Sequence, residues 1–170
     1  MIAYDGFITG NLVFDLGVLS WCIAQGIKVL LEFLIKGKTS WDTVFGTGGM
    51  PSSHSAFVMA IAVSIGVLYG GRSPLFALAA AFALVVMYDA FNVRRAAGEH
   101  AKHINQMWEE LREELQSVPA MEILKESLGH TPLQVIVGAL LGSGVGALAL
   151  FFKYDFTTFP VFVKKEYRFE

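Results

Sequence analysis

Two histidines stand at the edges of apolar runs that prolines open. His54 closes the string Gly48-Gly49-Met50-Pro51-Ser52-Ser53-His54, and His130 sits in Leu128-Gly129-His130-Thr131-Pro132-Leu133-Gln134. Two glycines before a helix start, with small hydroxyl residues in its first turn, leave backbone N–H groups free for an anion. An imidazole at the same point can protonate a leaving group, because it titrates near neutral pH. A second neutral imidazole can attack phosphorus and carry a phosphoryl group. Between the two histidines lies Asp89-Ala90-Phe91-Asn92-Val93-Arg94-Arg95. Adjacent arginines can anchor a helix end at lipid headgroups or clamp phosphate oxygens with forked hydrogen bonds. Asp89 lies about one helical turn before them and can hold one in place. Gln134, four residues after His130, can reach back one turn toward it.

These residues need elements to position them, and the composition says what kind. The 170-residue chain is 54% apolar and 16% charged, with 13 Lys+Arg against 15 Asp+Glu. A soluble domain carries about 25% charged residues. No Asp, Glu, Lys or Arg occurs from Thr43 to Gly71, from Ser73 to Tyr88, or from Thr131 to Phe152. Roughly 20 apolar helical residues cross a hydrocarbon core. The pattern argues against a soluble enzyme and a disordered chain. A net charge of −2 gives no basic field, so no nucleic-acid partner is expected. The single cysteine, Cys22, cannot form an internal disulfide, and Met1–Asn11 lack a signal peptide's basic n-region.

The spacing predicts an all-α integral membrane bundle, one domain over residues 1–170, with about four membrane-embedded helices. Their expected positions are about Asn11–Leu34, Ser53–Gly70, Pro74–Val93 and Pro132–Phe152. The first contains Lys28 and Glu32, four apart and able to face each other. It reads either as a tilted, snorkelling interfacial helix or as one bearing a functional intramembrane pair. The tight Gly70-Gly71-Arg72-Ser73 turn makes the second and third spans an antiparallel hairpin.

A polar insert, residues 94–129, separates the third and fourth spans. Ile104, Met107, Trp108, Leu111, Leu115 and Val118 recur there at helical spacing, opposite Glu109, Glu110, Glu113 and Glu114. This is an amphipathic helix, read as one arm of a surface hairpin on the membrane domain. Pro119 interrupts it, and a second short helix is expected at about Met121–Leu128. Residues 153–170 mix aromatic and basic side chains, as an interfacial tail does. Gly138, Gly142 and Gly146 repeat every four residues, a stripe for close helix packing. It serves either inside the monomer or as the seam of a homo-oligomer. His100 and His103, three apart, share a helix face beside Glu99, but a further zinc ligand is not evident, so no metal or other cofactor is expected.

With four spans, the loops after the first and third lie on one membrane face, and they hold nearly all the polar residues singled out. That face carries Lys36, Lys38, Arg94, Arg95, Lys102, Arg112 and Lys125; the other carries Arg72, Lys153, Lys164, Lys165 and Arg168. The bias points the first face to the cytoplasm.

Pro51-Ser52-Ser53-His54 resembles the Pro-Ser-Gly-His signature of the type 2 phosphatidic acid phosphatase superfamily, which includes vanadium-dependent haloperoxidases. Gly129-His130-Thr131-Pro132-Leu133-Gln134-Val135 with Gly138 is similar to its third signature. The longer strings resemble the divergent bacterial and plastid branch more closely. They are Lys38-x-x-Trp41, Gly48 to Ala56, Asp89-Ala90 through Val93-Arg94-Arg95 to Gly98, and Leu128-Gly129-His130-x-Pro132. The resemblance covers about Lys38 to Gly146. It implies an integral protein of a bacterial plasma membrane and a metal-independent phosphatase acting on a lipid phosphomonoester or diphosphate. His130 would be the nucleophile and His54 the general acid. Lys38, Ser52, Ser53, Arg94 and Arg95 would bind phosphate. Gln134 stands where the family's nucleophile-orienting Asp is usual, and Asp89 is a candidate substitute. The usual Arg-Pro of the first signature is missing, and the insert separates Arg95 from His130 in sequence. A non-catalytic lipid-headgroup binder that keeps the phosphate pocket is the alternative. A haloperoxidase is disfavoured by the spans and the short chain.

Overall fold

The charge-free segment after Pro51 becomes the helix around which the others are arranged. The computed structural model describes residues 4–39, 49–115, 122–126 and 128–155, and among them the regular structure is helical. In chain order the helices are α1 (Leu12–Lys36), α2 (Ser53–Tyr69), α3 (Pro74–Tyr88), α4 (Arg94–Glu114), α5 (Pro132–Ala147) and α6 (Ala149–Asp155). A π-helical segment, Asp89–Val93, joins α3 to α4. Trp41, Gly48, Val118, Pro119 and the tail beyond residue 155 lie outside the described residues.

Three helical runs, Leu12–Lys36, Pro74–Glu114 and Pro132–Lys153, are long and apolar enough to cross a membrane. The fourth apolar helix, α2, has 17 residues. It packs against α1, α3 and α5, so neighbouring helices cover it. Its Ala56, Ala60, Ala62 and Ser64 are buried. Large apolar side chains instead line the exterior, among them Phe33 and Leu34 on α1, Leu78 and Phe82 on α3, and Leu140 on α5. Such a surface suits hydrocarbon and not water. The protein is an all-helical membrane bundle.

Polar side chains set where the helices begin. Asn11 accepts the Phe14 N–H at 3.1 Å, and Ser52 accepts the Ser55 N–H at 3.3 Å. Thr131 and Gln134 form a capping box at the start of α5. The starts of α2 and α5 lie at the same end of the bundle, where the Ser52 N–H donates to the Gln134 carbonyl at 3.1 Å.

The glycine stripe explains how α2 and α5 come so close. A β-carbon on Gly138 would run into the Ser52 carbonyl oxygen, one on Gly142 into that of Ala56, and one on Gly146 would lie 2.6 Å from that of Ala60. The stripe is thus filled within the chain. A second copy cannot use it as a seam while α2 occupies it.

The insert differs from its expected form. The helix expected in the insert is present as α4, but α3, the π segment and α4 are one continuous helical run of 41 residues. Ile104, Met107 and Leu111 on α4 remain exposed instead of lying on the membrane bundle. The second helix expected at Met121–Leu128 is not formed by residues 122–126. The Asn105 side chain donates to the Leu124 carbonyl (2.9 Å) and accepts the Leu124 N–H (3.0 Å), so this backbone is spent on a side chain of α4. Asn105 also donates to Glu126 at 2.8 Å.

Candidate active site

Three chain segments meet where α2 and α5 begin and α3 ends. His54 is in the first turn of α2, Asp89 opens the π segment, Arg94 follows it, and His130 precedes α5. His54, Val86, Asp89, Ala90, Arg94 and His130 line one cleft of about 20 Å³. That is room for a water molecule. A phosphoryl group enters only if the cleft widens.

The backbone holds His130 in place. In the π segment the Arg94 N–H reaches back five residues to the Asp89 carbonyl, and the Ala90 carbonyl accepts the His130 N–H at 2.9 Å. Wider π turns inside long helices recur at functional sites. Gly129 makes the approach possible. Its φ is 79°, and a β-carbon there would strike the Arg95 backbone nitrogen. The insert separates Arg95 from His130 in sequence, yet their backbones are adjacent.

The His130 side chain is buried, with Nδ1 3.3 Å from Gln134 Oε1. The same oxygen accepts the Thr131 N–H at 3.0 Å, which identifies it as the carbonyl end of the amide. A carbonyl oxygen only accepts, so the neutral imidazole that keeps this hydrogen bond carries its proton on Nδ1 and leaves Nε2 with the lone pair. Nε2 has no hydrogen-bond partner among the described residues. Burial holds the His130 pKa below the ordinary 6.5, helped by the charges of Lys28 and His54 and opposed by Gln134 and the Gly49 backbone. The neutral, nucleophilic form therefore persists to lower pH than in a free histidine. The acid limb of any His130-dependent activity is expected below pH 6.5. A depressed pKa also means the unfolded chain binds this proton more readily. The associated stability is full above the unfolded pKa and is lost as pH falls through the folded one. Gln134→Glu places a carboxylate at Nδ1 and is expected to move the His130 titration upward. Imidazole NMR shifts followed against pH check both the wild-type position and this reversal.

Asp89 does not orient His130. Its carboxylate accepts from Arg94 Nε at 2.6 Å, which fixes that arginine at the cleft edge. Ser52 is fully buried as the cap of α2, and Ser53 is buried in its first turn. The Ser55 hydroxyl donates to Ser52 Oγ at 2.9 Å. The side chains of Lys38 and Arg95 are exposed, and neither lines the cleft. Glu99, His100 and His103 are exposed on α4, and among the described residues no three His, Cys, Asp or Glu side chains converge as a metal site would.

Lys28 was the residue that sequence reasoning misplaced. Glu32 pairs with Lys36 at 3.1 Å, and Lys28 does not snorkel. It is 3% exposed, and its charge is felt at both His54 and His130. The signal was a step of four: Leu12, Leu16, Ser20, Ala24 and Lys28 form one buried face of α1.

A helical membrane protein with two histidines, an arginine and a buried lysine at one end is the class this architecture defines. The chain belongs to the Divergent PAP2 family, whose model matches residues 9–145. It is 42% identical over 128 residues to "Uncharacterized membrane protein YuiD" of Bacillus subtilis (strain 168), covering 70% of this chain and 81% of that protein. No solved structure matches it significantly.

Proposed function

We propose that the protein is a lipid phosphatase that works through a phosphohistidine at His130. The observation that carries the reading is the His130 side chain, oriented through Nδ1 and presenting an unpartnered Nε2 in the pocket shared with His54 and Arg94. Nε2 attacks phosphorus, the bond from phosphorus to the lipid oxygen breaks, and protonated His54 gives its proton to the departing alkoxide. Neutral His54 then takes a proton from water as that water attacks the phosphohistidine, releasing phosphate and restoring both imidazoles. Arg94 and the N–H groups at the start of α2 stabilise the developing charge.

Two apolar grooves support a lipid substrate. One of about 890 Å³ between α3 and α5 reaches Asp89, and one of about 420 Å³ between α1, α2 and α3 reaches His54. Either suits a hydrocarbon tail whose headgroup lies in the cleft. The motif face is assigned to the cytoplasmic side of a bacterial plasma membrane. Phosphatidate, phosphatidylglycerophosphate and a polyprenyl diphosphate, each supplied in detergent micelles with a chelator, test the reading. Phosphate release that vanadate inhibits is the expected result. Gln134 favours a second reading, since a carboxamide stabilises an imidazolium less than a carboxylate does. Headgroup binding without turnover of any substrate would select that non-catalytic reading.

A further inference from the structure

Beside the cleft, though not among the residues that line it, is a buried cation outside the motifs quoted above. Lys28 is buried near the inner end of α1, and its Nζ has no hydrogen-bond partner among the described residues. Asp15, the other buried charge on this helix, accepts from Ile8 N–H (2.7 Å), Thr9 N–H (3.1 Å) and Thr9 Oγ (2.6 Å). An unpaired ammonium is costly to bury and is normally found with a partner. The stem of Lys28 is packed, not loose: a β-carbon on Gly49 would lie 3.2 Å from its Cγ and Cδ. Gly49 belongs to the strand of chain that leads into the buried Ser52 and Ser53 at the start of α2. The charge of Lys28 reaches both histidines. An anion bound between them would supply what Nζ lacks.

We propose that Lys28, and not Lys38, joins Arg94 as a cation for the phosphoryl group bound at this cleft, whether that group arrives on a lipid or as free phosphate. The proposal rests on reading the cleft as an anion site, but it does not require turnover. It accounts for retaining a buried charge that weakens the empty protein.

The test is thermal unfolding of the full chain, in detergent with and without inorganic phosphate. Nanodiscs containing phosphatidate or only phosphatidylcholine provide the lipid arm. Wild type, K28M, K38M and K36M are compared. Phosphate is expected to raise the wild-type Tm. K28M is expected to melt higher than wild type without phosphate, because an unpaired buried charge has gone. It is expected to lose the phosphate-dependent rise, with affinity falling at least about tenfold. K36M, which removes an exposed lysine paired with Glu32, is expected to respond to phosphate like wild type. A rise with phosphatidate alone, lost in K28M, assigns a lipid-borne group; a rise with free phosphate too assigns the phosphoryl group by itself. A K28M protein that melts lower or fails to fold overturns the proposal, as does one that keeps the phosphate response. Loss of that response in K38M but not K28M overturns it as well, and so does a wild type that responds to neither anion. Absence of turnover on every lipid phosphate, with this binding pattern intact, would sink the enzyme and leave Lys28 standing.

Discussion

His130→Ala is expected to lower phosphate release by about a thousandfold or more, since it removes the atom that bonds to phosphorus. The fold should survive the change. The His130 N–H that holds this loop to the Ala90 carbonyl belongs to the backbone and remains in the variant. Unfolding of the variant should therefore resemble wild type while its activity is gone. A phosphorylated species, stable to base and labile to acid, should form on wild type and not on the variant. Full activity in His130→Ala would remove the proposed nucleophile. A variant that unfolds would show instead that the imidazole is mainly structural.

Gly142→Val is expected to be the most damaging change remote from the chemistry. The first added carbon lands on the Ala56 carbonyl oxygen, in the backbone of the central helix α2. Neither helix has slack there, because Gly138 and Gly146 make similar contacts one turn to either side. Overpacking of a tight core costs about 1–3 kcal/mol and sometimes more. The shift would also be felt at Ser52 and His54, so activity should fall together with Tm. Gly144→Ala is the contrast. Nothing lies within 4 Å of its added carbon, and replacing a mid-helix glycine gains about 0.5–1 kcal/mol. Equal Tm values for the two variants would show that the glycine stripe does not hold α2 and α5 together.

The helical membrane architecture was legible because absence of charge over long runs is a coarse and robust signal. The three charge-free runs of the sequence became α2, α3 and α5. His54, Asp89, Arg94 and His130 were legible as companions from their motifs, and one cleft gathers all four. What escaped was decided by contacts that spacing does not encode. The continuity of α3 with α4 depends on a π turn whose carbonyl finds a distant N–H. The non-helical course of residues 122–126 depends on Asn105, 19 residues from Leu124. Glu32 has two lysines at matching helical spacing, Lys28 and Lys36, and the sequence left Lys28 either snorkelling or facing Glu32. The geometry gives Glu32 to Lys36 and turns Lys28 inward. Asp89 was a candidate partner for either an arginine or a histidine, and the ion pair with Arg94 decides between them.

The main chain does most of the assembling at this site: a carbonyl of the π turn, a glycine on an arginine backbone, and an amide of Ser52 on the start of α5. Those contacts do not depend on what the reactive side chains are. Over evolutionary time the chemistry can thus be retuned, or lost altogether, without a penalty in folding. The glycines cannot drift so freely. In a lineage descended from this architecture, an inactive descendant would keep its glycines long after its histidines had changed.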